Sequence, residues 1–122
     1  MIISASQNHL AEILNIERES FSKPWTEYHF KRDLNNKISV NWVYQNDNHV
    51  VGYLFGWKVM DEYHLNNIAV AESFRENRIG IHLLKNMVSY LKEVKVKSVF
   101  LEVSSSNLPA RKLYEKMGFV PQ

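Results

Sequence analysis

The chain contains no cysteine. That excludes a disulfide framework, a cysteine nucleophile and any thiolate zinc site, and it suits a reducing compartment. Metal chemistry finds little else to use, because the five histidines have no ligand spacing and no His-Glu-x-x-His occurs. Charge of one sign is also scarce. Fifteen Lys and Arg stand against 13 Asp and Glu, a formal net charge of +2, and no stretch gathers the basic residues into a groove-sized patch. Neither a direct nucleic-acid partner nor a membrane is therefore expected. No run approaches the ~20 apolar residues needed to cross a bilayer. The opening MIISASQNHLAEIL shows no basic leader before an apolar run, so a soluble cytoplasmic protein is expected.

What is present is a globular composition, 45% hydrophobic and 23% charged, so a folded core is expected rather than disorder. No repeat, low-complexity tract or linker interrupts the 122 residues, which fit one domain spanning 1–122. Residues Ile2 to Ser4 read as a short strand. Ser6 reads as the N-cap of a helix with Leu10, Ile13, Leu14 and Phe21 on one side. After Pro24, Thr26 can cap a second helix carrying Tyr28, Phe30 and Leu34.

From Val40 the pattern turns to strands. VNWVYQ, the turn NDNH and VVGYLFGWKVM predict a hairpin, and Asp61 with Glu62 leads into a third strand, Tyr63 to Val70. A helix is expected from about Ile79, because Ile79, Leu83, Met87 and Leu91 recur every four residues. KSVFLEV then reads as a strand covered on both faces. Asn107 opens a last helix with Ala110, Leu113, Tyr114 and Met117 on one side and Gly118 as its C-cap. The order β-α-α-β-β-β-α-β-α predicts a mixed α/β sheet, with an antiparallel meander joined to a parallel β-α-β crossover.

Several residues carry chemical promise. A loop that opens a helix offers unpaired N–H groups and the positive end of the helix dipole, a natural seat for an anion. Gly80 permits close backbone approach there, and Arg75 and Arg78 add charge. A solvated helix start explains the same residues. Glu102 ends an apolar strand, either as a carboxylate reaching solvent or as a general base at the mouth of a cleft. Tyr114 lies on an apolar helical stripe, where core packing competes with a role as proton donor. Ser104, Ser105 and Ser106 have no triad partner and read as a loop before a cap.

Four segments in order, DEYHLNNIAV, FRENRIGIHLL, LEVSSSN and NLPARKLYEKMGF, together resemble the GNAT acetyltransferases. A fifth, FSKPWTEYHF, is similar to a Phe-x-x-Pro-Trp stretch in the branch that acetylates an N-terminal alanine of ribosomal proteins. The resemblance implies a GNAT acyl-CoA N-acyltransferase fold and acetyl-CoA as cosubstrate. Asn67, Ile68, Ala69 and Val70 would then lie along the pantetheine arm and act through their backbones. The turn with Arg75, Arg78, Ile79 and Gly80 would take the pyrophosphate, and Asn107 would contact the CoA arm. Glu102 would be the base, Tyr114 the acid that protonates the CoA thiolate, and Phe21, Pro24 and Trp25 would lie on the acceptor side.

The same resemblance makes a protein amino terminus the partner, on a small-subunit ribosomal protein; the alternatives are a small-amine acetyltransferase and a catalytically inactive acyl-CoA-binding module. The reading agrees with amine chemistry. An α-amine near pKa ~7.8 is easier to deprotonate than a lysine near ~10.4, by roughly 3.5 kcal/mol. Two departures stand out. Arg78 replaces a glycine usual in the pattern, so the peptide there cannot freely take φ > 0; the backbone should already be helical, or the side chain should swing out. GFVPQ stands where GNAT domains run on into one or two more strands, so a sheet lacking its last strands is expected, as a monomer or a strand-exchanged dimer.

Overall fold

The computed structural model describes residues 1–101. Their order is β1 (Ile2–Ser4), α1 (Leu10–Ser20), α2 (Glu27–Leu34), β2 (Trp42–Asn46), β3 (His49–Val59), β4 (Glu62–Val70), α3 (Ile79–Glu93) and β5 (Ser98–Leu101). The five strands form one sheet in sequence order, antiparallel throughout except for the parallel pair of β4 and β5. Helix α3 is the crossover that makes this last pair parallel, as the spacing predicts. The expected final helix, with Asn107 and Tyr114, and the residue Glu102 lie outside the described residues.

Local chemistry accounts for most boundaries. Thr26 accepts the His29 N–H on its Oγ1 at 3.2 Å and so caps α2, as expected. Trp25 and Phe30, at the positions before the cap and four into the helix, pack with ring centroids 5.2 Å apart, the geometry of a hydrophobic staple. The β2–β3 turn holds Asp47 and Asn48 at φ 52° and 66°, the left-handed conformation that Asp and Asn tolerate best in tight hairpins.

Helix α2 carries Tyr28, Phe30 and Leu34 as expected, with Phe30 fully buried and Tyr28 74% exposed. Three expectations are corrected. Ser6 precedes a 3₁₀ turn (Gln7–His9) rather than capping α1 directly. Phe21 is already extended (φ −130°, ψ 141°), so it ends α1 rather than belonging to its stripe. Finally, the strand covered on both faces is β3, in which Val50 to Gly56 are all buried, whereas Ser98 and Phe100 of β5 are exposed. Position explains the difference: β3 is central in the sheet and has helices on both sides.

The sheet separates two apolar layers. On one face α3 packs Ile79, Leu83, Leu84, Met87 and Leu91 against Trp42, Val51, Leu54, Tyr63, Leu65 and Ile68. On the other, Leu10, Ile13, Leu14 and Ile16 of α1 and Phe30 of α2 meet Val43, Val50, Tyr53 and Phe55. Helix α3 approaches closely at Gly52, where a Cβ would stand 3.0 Å from Ile79 Cγ2.

Strand β4 changes face partway along. Tyr63 and Leu65 belong to the α3 layer, but so does Ile68, three residues on rather than two. The register explains it: Gly56 pairs with Leu65 and Phe55 with Asn67, so Asn66 is an extra residue, a β-bulge. Because side chains alternate with a period of two, a regular strand would put Asn67 on the same face as Leu65; the bulge takes Asn66 out of the alternation and leaves Asn67 on the α1 face.

Helix α2 carries a buried liability. Asp33 is fully buried, and neither carboxylate oxygen has a hydrogen-bond partner among the described residues. Burial pushes this carboxyl above its ordinary value of 3.8, and the positive charges of His29 and Arg32 only partly pull it back. A raised folded-state pKa means the native protein binds more protons than the unfolded chain between the two values. Stability from this group therefore falls as pH rises through that window. Asp33→Asn is expected to unfold at higher urea than the wild type at pH 7, and the gap should close as pH falls below 3.8. A gap that stays constant across this range would show that Asp33 titrates normally.

Candidate functional site

Among the described residues, those expected on the cofactor side run from the end of β4, at Asn67 to Val70, through Arg75 and Arg78 to the start of α3 at Ile79 and Gly80. Asn67 and Ile68 are buried, while Ala69 and Val70 are half-buried. Along β3 they pair with Phe55, Leu54, Tyr53 and Gly52 in turn. Their side chains divide: Ile68 joins the α3 layer, whereas Asn67 points to the α1 face and donates to Glu17 Oε1 at 2.8 Å. Asn66, in the bulge, has a buried carboxamide with no partner among the described residues.

A tight turn connects β4 to α3. Ala71 N–H donates to the Val51 carbonyl at 2.8 Å, and a 3₁₀ turn (Glu72–Phe74) follows. Arg75 Nε then donates back to the Val70 carbonyl at 3.1 Å, and its Nη2 donates to Ser20 Oγ at 3.2 Å. Arg75 therefore ties the ends of β4 and α1 together, besides placing a positive charge beside the turn.

Arg78 is the N-terminal flanking residue of α3, and its backbone is left-handed, φ 65° and ψ 15°. Of the two alternatives expected at Arg78, this rules out the already helical backbone. The turn keeps the conformation a glycine would take freely, at a cost of roughly 1–2 kcal/mol for a residue bearing a Cβ. Glu76, two residues earlier, is also left-handed at φ 72°. The Arg78 side chain makes no capping hydrogen bond to α3, and the helix's first turn holds no acidic residue. His82 N–H is the first to bond within the helix, to the Arg78 carbonyl at 3.0 Å. The N–H groups of Ile79, Gly80 and Ile81 thus have no intrahelical acceptor, and they lie at the positive end of a 15-residue helix. Free N–H groups at an acid-free helix start beside two arginines have the chemistry that suits a phosphorylated group.

The acceptor-side residues lie on the α1 face. Phe21 and Trp25 are half-buried and Pro24 is exposed. The Trp25 ring stacks on His29 with centroids 3.7 Å apart and sets its edge against Phe55 at 6.3 Å. Its backbone N–H donates to Glu17 Oε2 at 2.8 Å.

Glu17 is a central residue that the sequence reading passed over. It is 1% exposed and accepts three hydrogen bonds, from Trp25 N–H, from Asn67 Nδ2 and from Tyr53 Oη, the last at 2.5 Å. All three partners donate, which suits a group that only accepts. Burial first, and the neighbouring Glu17 carboxylate second, push the Tyr53 hydroxyl well above its ordinary value, so it stays a donor. A signal was there to be read: Glu17 falls on the apolar stripe of Leu10, Ile13 and Leu14, where a carboxylate demands partners. A surface groove beside α1, lined by Glu12, Glu19, Glu72 and their neighbours, contains none of these residues.

Comparison with known proteins identifies the arrangement. The family model "Acetyltransferase (GNAT) family" matches residues 10–119. A Bacillus subtilis protein provisionally named [ribosomal protein bS18]-alanine N-acetyltransferase is 36% identical over 110 residues, covering 89% of this chain and 73% of that protein. The spore coat polysaccharide biosynthesis protein SpsD of the same organism is 32% identical over 125 residues, covering 90% of this chain and 43% of that longer one. The crystal structure of the ribosomal-protein-S18-alanine N-acetyltransferase of Escherichia coli superposes with a TM-score of 0.88 at 28% identity, covering 97% of this chain and 76% of that one. The expected mixed sheet and GNAT fold are thereby borne out: this chain belongs to the GNAT family of acetyltransferases.

Proposed function

We propose that this chain transfers the acetyl group of acetyl-CoA to the α-amino group of an N-terminal alanine, on ribosomal protein bS18. The observation that supports the acceptor is the likeness to enzymes named for that substrate, which extends over nearly the whole chain. The observation that supports the cosubstrate is the acid-free start of α3 directly after β4. Acetyl-CoA supplies an acetyl group activated as a thioester, with CoA thiolate as leaving group.

The residues then divide the work. The N–H groups of Ile79 and Gly80, with the charges of Arg75 and Arg78, hold the pyrophosphate. Backbone groups of Asn67, Ile68, Ala69 and Val70 pair with the pantetheine arm and stabilise the oxyanion that forms as the amine attacks. Asn107 contacts the CoA arm. Glu102 accepts the amine's proton, directly or through water, and Tyr114 protonates the departing sulfur. Phe21, Pro24 and Trp25 form the acceptor wall.

Intact-mass analysis of an Ala-starting bS18 peptide, incubated with the protein and acetyl-CoA, tests this directly. Acetylation is expected at the free amino terminus. A companion peptide with a blocked amino terminus and a free lysine should remain unmodified. Acetylation of the lysine peptide, or of small amines in place of either peptide, would overturn the acceptor.

A further inference from the structure

We propose that Glu17 is a positioning residue: its buried carboxylate fixes the Phe21–Trp25 loop against the β4 bulge, so that the acceptor wall and the cofactor strand keep one relative placement. The proposal rests on the reading above, in which the loop faces the acceptor and Asn67 to Val70 face acetyl-CoA.

The geometry divides the carboxylate into two halves. Oε1 takes Tyr53 Oη from the central strand and Asn67 Nδ2 from the residue just past the bulge. Oε2 takes the backbone N–H of Trp25. A single group, 1% exposed, thus joins a helix, two strands and the interhelix loop. Among the described residues the loop has little else of comparable directness. Ser22, Lys23 and Pro24 are exposed, and Trp25 is otherwise held by ring contacts with His29, Phe30 and Phe55, which constrain the side chain more than the main chain. The bulge matters for the same reason. Were Asn66 an ordinary ladder residue instead of a bulge, Asn67 would face the α3 layer and Glu17 would lose its link to β4.

Glu17→Gln separates this role from simple core stability. Its remaining oxygen can still serve Tyr53 and Asn67, which leaves the new NH₂ facing the Trp25 N–H, donor against donor. The KM for the bS18 peptide is expected to rise roughly tenfold or more while the KM for acetyl-CoA holds. The Trp25 amide should exchange with solvent faster, as read by NMR. Tyr53→Phe removes a hydrogen bond from the same carboxylate without touching Trp25, so it should lower stability yet leave the peptide KM and the Trp25 exchange close to wild type.

Equal rises in both KM values for Glu17→Gln, or wild-type exchange at Trp25, would overturn the proposal. So would a Tyr53→Phe enzyme with the same peptide defect. Failure of the acceptor reading looks different. A wild-type protein that leaves the peptide unmodified removes the acceptor, and the Trp25 exchange rates then decide for or against the Glu17 tether on their own.

Discussion

Glu102→Gln is expected to lower peptide turnover by roughly 10²–10⁴-fold, the range typical of a lost general base, while acetyl-CoA still binds with its usual affinity. The reasoning begins with the nucleophile. At neutral pH most of an α-amine near pKa ~7.8 is protonated and cannot attack, so a group must accept its proton before or during transfer. Glutamine matches glutamate in size and hydrogen bonding but cannot take that proton. The likeness of LEVSSSN to the GNAT strand and loop is what names Glu102 for the task.

Raising the pH should partly rescue the variant, because solvent then deprotonates the amine unaided. Thiol release followed from pH 6 to pH 9 checks both expectations. Undiminished turnover at pH 7 would remove Glu102 from the mechanism. Tyr114→Phe should cost less, because a thiol near pKa ~8.5 leaves acceptably without a proton donor.

The second large effect concerns stability. Gly56→Ala is expected to destabilise the fold by about 3 kcal/mol or more, through overpacking in a site that cannot relax. An added Cβ would overlap the Tyr63 hydroxyl and Cζ and lie 2.6 Å from Cε2. Tyr63 has nowhere to go: its side chain is fully buried, and its hydroxyl donates to the Val40 carbonyl at 2.7 Å. The Gly56 backbone is equally fixed. Its N–H donates to Asn41 Oδ1 at 3.1 Å, and its carbonyl accepts the Val40 N–H at 2.9 Å. A loss of this size is a large share of the ~5–15 kcal/mol typical of whole domains and should lower Tm by roughly 10 °C. Urea unfolding of the variant checks it. A midpoint near that of the wild type would show that Tyr63 and the strand can give way together.

Much of this architecture could be read from local chemistry. The Thr26 cap, the Asp47–Asn48 turn and the four-residue recurrence from Ile79 to Leu91 each depend on near neighbours, and each lies where expected. The features that position the site depend on distant partners. Asn66 is an ordinary strand residue in sequence; only the register against Phe55 and Gly56 makes it an insertion. Glu17 meets Tyr53 and Asn67 across separations of 36 and 50 residues, so its environment is set by the fold and not by its helix. Arg78 follows the same rule: its Cβ disfavours left-handed backbone, yet it takes φ 65° in the turn that joins β4 to α3, a setting its own residue type does not announce. The site residues beyond Leu101 were read from resemblance and chemistry alone.

The bulge at Asn66 makes β4 a strand with two reading frames. Up to Leu65 its odd-numbered residues feed the aliphatic layer under α3; beyond Asn66 the even-numbered ones do. The strand can therefore carry hydrocarbon toward α3 along its whole length and still deliver one carboxamide to a carboxylate on the opposite side. A designer who kept every residue but straightened the bulge into a regular ladder would gain a tidier strand and exchange the tenants of two compartments. Asn67 would sit among leucines, and Ile68 would face Glu17.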